Sequence, residues 1–175
     1  MKKITILLFA FLMFGSIAVL QADATPKMAK AALQNAAGES VGSATLTELE
    51  NGGVKIDLEV KNLTPGQHAF HIHNVGKCEA PDFKSAGPHF NPEGKQHGTD
   101  NPQGPHAGDM PNVTVGADGS GKAEVVASHA TLDTGTNSVF HEGGSALVIH
   151  AAADDYKTDS AGNAGARVAC GVITE

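Results

Sequence analysis

Apolar and polar residues alternate along most of this chain with a period of two. Residues 53–60 (G-V-K-I-D-L-E-V) put Val54, Ile56, Leu58 and Val60 on one face, the mark of a strand with one buried side. Residues 43–49 alternate in the same way, and Asn51-Gly52-Gly53 reads as the turn between the two runs. A preceding strand is expected at residues 28–33, although its alanines would also tolerate a helix. Residues 67–73 form the next expected strand, after a Pro65-Gly66 turn. Further strands are expected at 113–115, 122–127, 145–150 and 167–173. Short strands, abundant glycine and almost no helical period predict an all-β, antiparallel sandwich or barrel in one domain.

Two stretches break the alternation. Residues 74–112 are rich in Gly, Pro, Asn, Asp and His and have no sustained apolar period. A structureless loop of that length needs something other than a hydrophobic core to order it. Residues 151–166 form a second, shorter polar loop. At the N-terminus, Lys2 and Lys3 precede an apolar stretch at residues 4–20, and Ala22-Asp23-Ala24 offers a small-residue cleavage site. This is the layout of a cleaved secretory signal peptide over residues 1–24. The competing reading is a membrane anchor, but Gly15 and Ser16 interrupt a stretch already short for a span. No cysteine near the junction invites a lipid anchor.

Composition narrows the partners. The whole chain has a net charge of −7, and loss of Lys2, Lys3 and Asp23 takes the mature chain, residues 25–175, to −8. That balance argues against nucleic acid and against anionic membrane surfaces. Of the two cysteines, Cys78 and Cys170, an even pair in an exported protein reads as a disulfide, with two free thiols as the alternative. The bridge would close a loop of about 93 residues, for which chain entropy assigns about 4–5 kcal/mol as an upper guide.

The chemistry lies in six histidines and one aspartate: His71, His73, His89, His97, His106, Asp109 and His150. Seven ligand-type side chains exceed what one tetrahedral ion takes, so two metals are expected, with one residue shared. His71 and His73, two apart on a strand, leave the same face of the sheet. An H-x-H pair also occurs in metallo-hydrolases of the β-lactamase type, but Asn74 and Val75 stand where those need further ligands. His150 ends an apolar strand and would join the pair. His89 is the natural bridge, and His97, His106 and Asp109 would complete a closed three-nitrogen, one-carboxylate set suited to zinc.

With these residues in place, the chain resembles a bacterial, exported copper/zinc superoxide dismutase over essentially its whole mature length. The resemblance is carried by A-F-H-I-H at 69–73, S-A-G-P-H-F-N-P at 85–92, H-A-G-D at 106–109, L-V-I-H at 147–150 and G-N-A-G-A-R-V-A-C-G-V-I at 162–173. It implies an eight-stranded antiparallel Greek-key β-barrel with two long functional loops, and a periplasmic location. It implies copper on His71, His73, His89 and His150, and zinc on His89, His97, His106 and Asp109. Cys78–Cys170 matches the family's disulfide, and Arg167 matches the arginine that attracts the superoxide anion. Asp154 matches the carboxylate joining a copper-ligand histidine to a zinc-ligand histidine. His89 would deliver a proton as well as hold metal. His68 matches a structural histidine; His129 and His141 match no family site and read as ordinary surface residues.

The chain also departs from the family's pattern. Ala69 stands where glycine is usual. The segment from Cys78 to His89 is longer than in the eukaryotic branch, and the 151–166 loop is shorter than the eukaryotic steering loop. Substrate steering is therefore expected from Arg167 with Lys84, Lys157 or both. The expected reaction is dismutation of superoxide to dioxygen and hydrogen peroxide by a monomer or homodimer. The alternative is a non-catalytic periplasmic copper/zinc-binding or sequestration protein with the same ligands. A zinc-only structural module conflicts with two sites.

Overall fold

The computed structural model describes residues 25–175; the signal-peptide reading lies outside the described residues. Nine strands form one antiparallel sheet: β1 (Met28–Asn35), β2 (Ser40–Glu48), β3 (Val54–Val60), β4 (Gly66–His68), β5 (Phe70–His73), β6 (Val113–Val115), β7 (Gly121–Ala127), β8 (Ala146–His150) and β9 (Arg167–Thr174). Their order across the sheet is β4-β6-β7-β3-β2-β1-β9-β8-β5. The two end strands are consecutive in the chain, so the sheet curls into a nearly closed barrel and leaves little free edge. Neighbours such as β3–β7 and β1–β9 are far apart in sequence, as Greek-key connections require.

The strand expected over residues 67–73 is two strands. β4 pairs with β6, and β5 pairs with β8 on the opposite end of the sheet. Ala69 is the break: it is fully buried, donates from its N–H to the Ala152 carbonyl (2.9 Å) and accepts from His150 N–H (2.9 Å). Alternation alone cannot show that a continuous run changes partners. The 28–33 segment is a strand, as its pairing with β2 and β9 shows.

The barrel interior is filled by the inward residues of every long strand, including Leu33, Leu46, Ile56, Leu58, Phe70, Ile72, Leu147 and Ile149. A second, smaller core lies outside the barrel wall, where Phe83, Ala86, Ala146, Val148 and Cys170 pack with Cys78. β5 and β8 are consequently buried on both faces. The loop 74–112 covers them. Its segment carrying His89 runs beside β5 like an extra strand, with hydrogen bonds Asn74 N–Pro88 O (2.9 Å), Val75 N–Ala86 O (3.0 Å) and Phe90 N–Ile72 O (2.8 Å). Gly108 closes this cover from the other side, and a Cβ there would lie 2.3 Å from the Ile72 carbonyl oxygen. The Cys78–Cys170 disulfide pins the loop to β9.

Candidate metal centre

β5 sends Phe70 and Ile72 into the barrel, so His71 and His73 stand on its outer face beneath the loops. β8 does the same with Leu147 and Ile149 inside, which puts His150 outside. β9 would break this arrangement without an irregularity. Ile149 pairs with Ala169 but His150 pairs with Arg167, so Val168 is a surplus residue, a β-bulge. Val168 packs against the main core, and Arg167 is re-aimed outward, opposite His150. In regular register Arg167 would share the inward face of Ala169.

His71, His73, His89 and His150 are all buried, and each can offer a nitrogen within 4.8 Å of the others. Which nitrogen is settled by what the opposite one bonds. His71 Nε2 donates to Asp154 (2.7 Å), His73 Nδ1 to the Gly87 carbonyl (2.9 Å) and His150 Nδ1 to the Gly165 carbonyl (3.3 Å). His89 Nδ1 faces Asp109 (2.9 Å). The remaining nitrogens face one another. His71 Nδ1 and His89 Nε2 are buried without a hydrogen-bond partner among the described residues, and His73 Nε2 lies 3.4 Å from His150 Nε2. Burial, reinforced by neighbouring imidazoles, pushes His73 down to about 2, His89 to about 4 and His150 to about 3. Neutral imidazoles with lone pairs converging in a dry site are a set that could hold a metal cation.

The second cluster is His89, His97, His106 and Asp109. Asp109 Oδ1 lies 2.9, 3.0 and 3.2 Å from the Nδ1 atoms of His89, His97 and His106. Its other oxygen accepts the Gly98 and His106 backbone N–H groups, both at 2.9 Å, which fixes the carboxylate plane. Burial alone would raise the Asp109 carboxyl, but bonds from His106, His89 and His97 hold it far below the usual carboxylate range. Burial likewise opposes a cation at His97, yet Asp109 and Asp154 raise it to about 9. A buried carboxylate facing three imidazole nitrogens is a set that could hold a dication.

Asp154 ties the clusters together, accepting from His71 Nε2 (2.7 Å) through one oxygen and from His97 Nε2 (3.0 Å) through the other. Asn112 was not singled out in the sequence, yet it clamps Asp154. Its Oδ1 accepts the Asp154 N–H (2.8 Å) and its Nδ2 donates to the Asp154 carbonyl (3.0 Å). Gly162 has φ +61°, and a Cβ there would sit 1.8 Å from Asp154 Oδ1. No local sequence signal distinguishes these two supports.

A cavity of about 770 Å³ opens over His73, His89, His106 and His150 and is lined by Arg167, Lys84, Lys95 and Asp159. Lys157 is not among its lining residues. His68, buried, donates from Nδ1 to the His150 carbonyl (2.8 Å), a structural contact. His129 is exposed, but His141 is half-buried and stacks on Phe90, with ring centroids 5.3 Å apart and 10° between planes. It supports the segment beside His89.

Residues 40–173 match the sequence profile described as copper/zinc superoxide dismutase (SODC). The chain belongs to the copper/zinc superoxide dismutase family. Copper/zinc superoxide dismutase 1 of Aquifex aeolicus is 55% identical over 141 residues, covering 79% of this chain and 83% of that one. Copper/zinc superoxide dismutase 2 of the same organism is 52% identical, covering 91% and 94%. Among solved structures, a double mutant of a superoxide dismutase-like protein from Bacillus subtilis superposes with TM-score 0.80 at 44% identity, covering 83% of this chain and 97% of that one. The copper/zinc superoxide dismutase of Brucella abortus gives 0.67 at 29% identity, covering 83% and 99%. The family's metals are copper and zinc, and the two histidine clusters are of a kind that could hold them.

Proposed function

We propose that the protein dismutates superoxide, 2 O₂⁻ + 2 H⁺ → O₂ + H₂O₂, with copper on His71, His73, His89 and His150 and zinc on His89, His97, His106 and Asp109. The observation that carries this reading is the buried pair of unpartnered nitrogens, His71 Nδ1 and His89 Nε2, in the four-histidine cluster. When bound, copper supplies alternating one-electron reduction and oxidation, while zinc keeps one oxidation state and orders the loop. The protein's own groups supply the rest. His89 has Nδ1 on Asp109 and Nε2 toward the other three histidines, so Nε2 is the atom that can hold a proton for the departing product. Asp154 and the Gly87 and Gly165 carbonyls set the tautomers of His71, His73 and His150.

Arg167 receives the anion. Its guanidinium is braced on the Phe83 and Gly87 carbonyls, both at 2.7 Å, and lines the cavity above His73 and His150. A sequestration protein would share every ligand but has no use for this cation. Purified protein loaded with both metals should remove superoxide, and metal-free protein should not; equal rates would overturn the reading. Arg167→Ala should lower kcat/KM by at least about tenfold and flatten its salt dependence at unchanged metal content. Unaltered kinetics would place anion binding elsewhere.

The Cys78–Cys170 bridge and the bacterial copper/zinc relatives support an exported protein. We place it in the periplasm after cleavage near Ala24, as a monomer or homodimer free of the membrane.

A further inference from the structure

Three cations line the cavity mouth, and they differ in what already holds them. Lys84 Nζ is paired with Asp82 at 2.9 Å. Arg167 is braced on two carbonyls. Lys95 has no carboxylate within 4.0 Å of its ammonium among the described residues. The one carboxylate in the lining, Asp159, accepts the His97 backbone N–H at 2.8 Å.

The backbone of Lys95 is nevertheless fixed. Asn91 Oδ1 accepts the Lys95 N–H (2.9 Å) and Asn91 Nδ2 donates to the Lys95 carbonyl (2.8 Å). Asn91 itself lines the cavity. A fixed stem carrying an exposed, unpaired ammonium is how a protein keeps positive potential over an opening while its net charge is negative.

We propose that Lys95 is the outer anion-capture residue of this enzyme, gathering small monoanions at the mouth and passing them to Arg167. This rests on the dismutase reading for its substrate, but the charge arrangement holds for any small anion. Lys95 thereby supplies the cation expected from Lys157, which the fold leaves out of the lining. Lys84, compensated by Asp82, contributes less.

The test uses the fully metal-loaded enzyme and the variants Lys95→Gln, Lys84→Gln and, as a charge-matched control on β1, Lys30→Gln. At low ionic strength Lys95→Gln should lower kcat/KM about threefold, with the difference vanishing at about 0.5 M salt. Azide affinity, read from the copper(II) visible spectrum, should weaken by a similar factor at equal metal content. Lys84→Gln should do less, and Lys30→Gln should match the parent in both readouts. Unchanged azide affinity and salt slope in Lys95→Gln, or an equal loss in Lys30→Gln, would overturn the proposal. An inactive parent enzyme would overturn the dismutase reading instead, and the azide titration would still decide on Lys95.

Discussion

Two sides of one barrel are built on opposite plans. On β3 and β7, inward residues fill the core while Lys55, Asp57, Glu59, Lys122 and Glu124 face outward and pair across the surface. Such exposed pairs contribute little. On β5 and β8 the outward residues are also buried, because a loop pinned by a disulfide forms a second layer. An antiparallel sheet needs only one dry face. The second dry face is where low dielectric makes imidazoles neutral and keeps solvent from competing for a cation. The wet side stabilises; the covered side carries the chemistry.

Removing the pin is the most severe way to break this contrast. Replacing both Cys78 and Cys170 by serine should cost up to about 4–5 kcal/mol in thermal or urea unfolding. The loss should be accompanied by exposure of the second core, measured as dye binding in the metal-free protein. Asp154→Asn acts on the covered side alone. It keeps the shape but cannot accept two N–H bonds as an anion, so metal affinity should fall about 10- to 100-fold by competition with a chelator. A paired substitution compares the sides directly. Val148→Thr buries a hydroxyl in the second core and should cost about 1–3 kcal/mol. Val126→Thr, on a side chain 49% exposed, should stay within about 0.5 kcal/mol. Equal costs would show that the two faces are not differently packed.

The gentlest probe is pH, applied to the metal-free protein. His73, His89 and His150 are depressed to about 2, 4 and 3, so the folded state binds fewer protons than the unfolded chain below about 6.5. Their contribution is full above that pH and is lost as pH falls toward those values. His97 is raised to about 9, so its contribution is full below about 6.5 and is lost as pH rises toward 9. Melting curves at pH 5, 6.5 and 9 should therefore peak near the middle value, falling on the acid side by about 1 kcal/mol per pH unit for each of the three depressed imidazoles. A flat profile would mean that the cover opens without metal.

The strands and the ligands were legible in the sequence for different reasons. Val54, Ile56, Leu58 and Val60 announce β3 because one wet face leaves an alternating trace. His71 and His73 could be placed on one face by the same period, and His150 by its position at the end of an apolar run. What escaped depends on contacts distant in sequence. Ala69 ends one pairing and begins another, a choice made by β6 and β8. Asn112 and Gly162 act only because Asp154 folds against them. Lys95 rather than Lys157 faces the cavity because Asn91 sets the course of the loop.

The surplus residue in β9 has a consequence for how this protein can change. The direction of the guanidinium is set by which residue the pairing with β8 leaves out, not by the identity of the side chain there. Many side chains could stand at Val168, but drawing that position into regular pairing with His150 would turn a permanent charge to the Ala169 face and into hydrocarbon, at a cost a domain of this size could not absorb. Register is the inherited quantity here, and the chain is freer to vary its letters than its pairing.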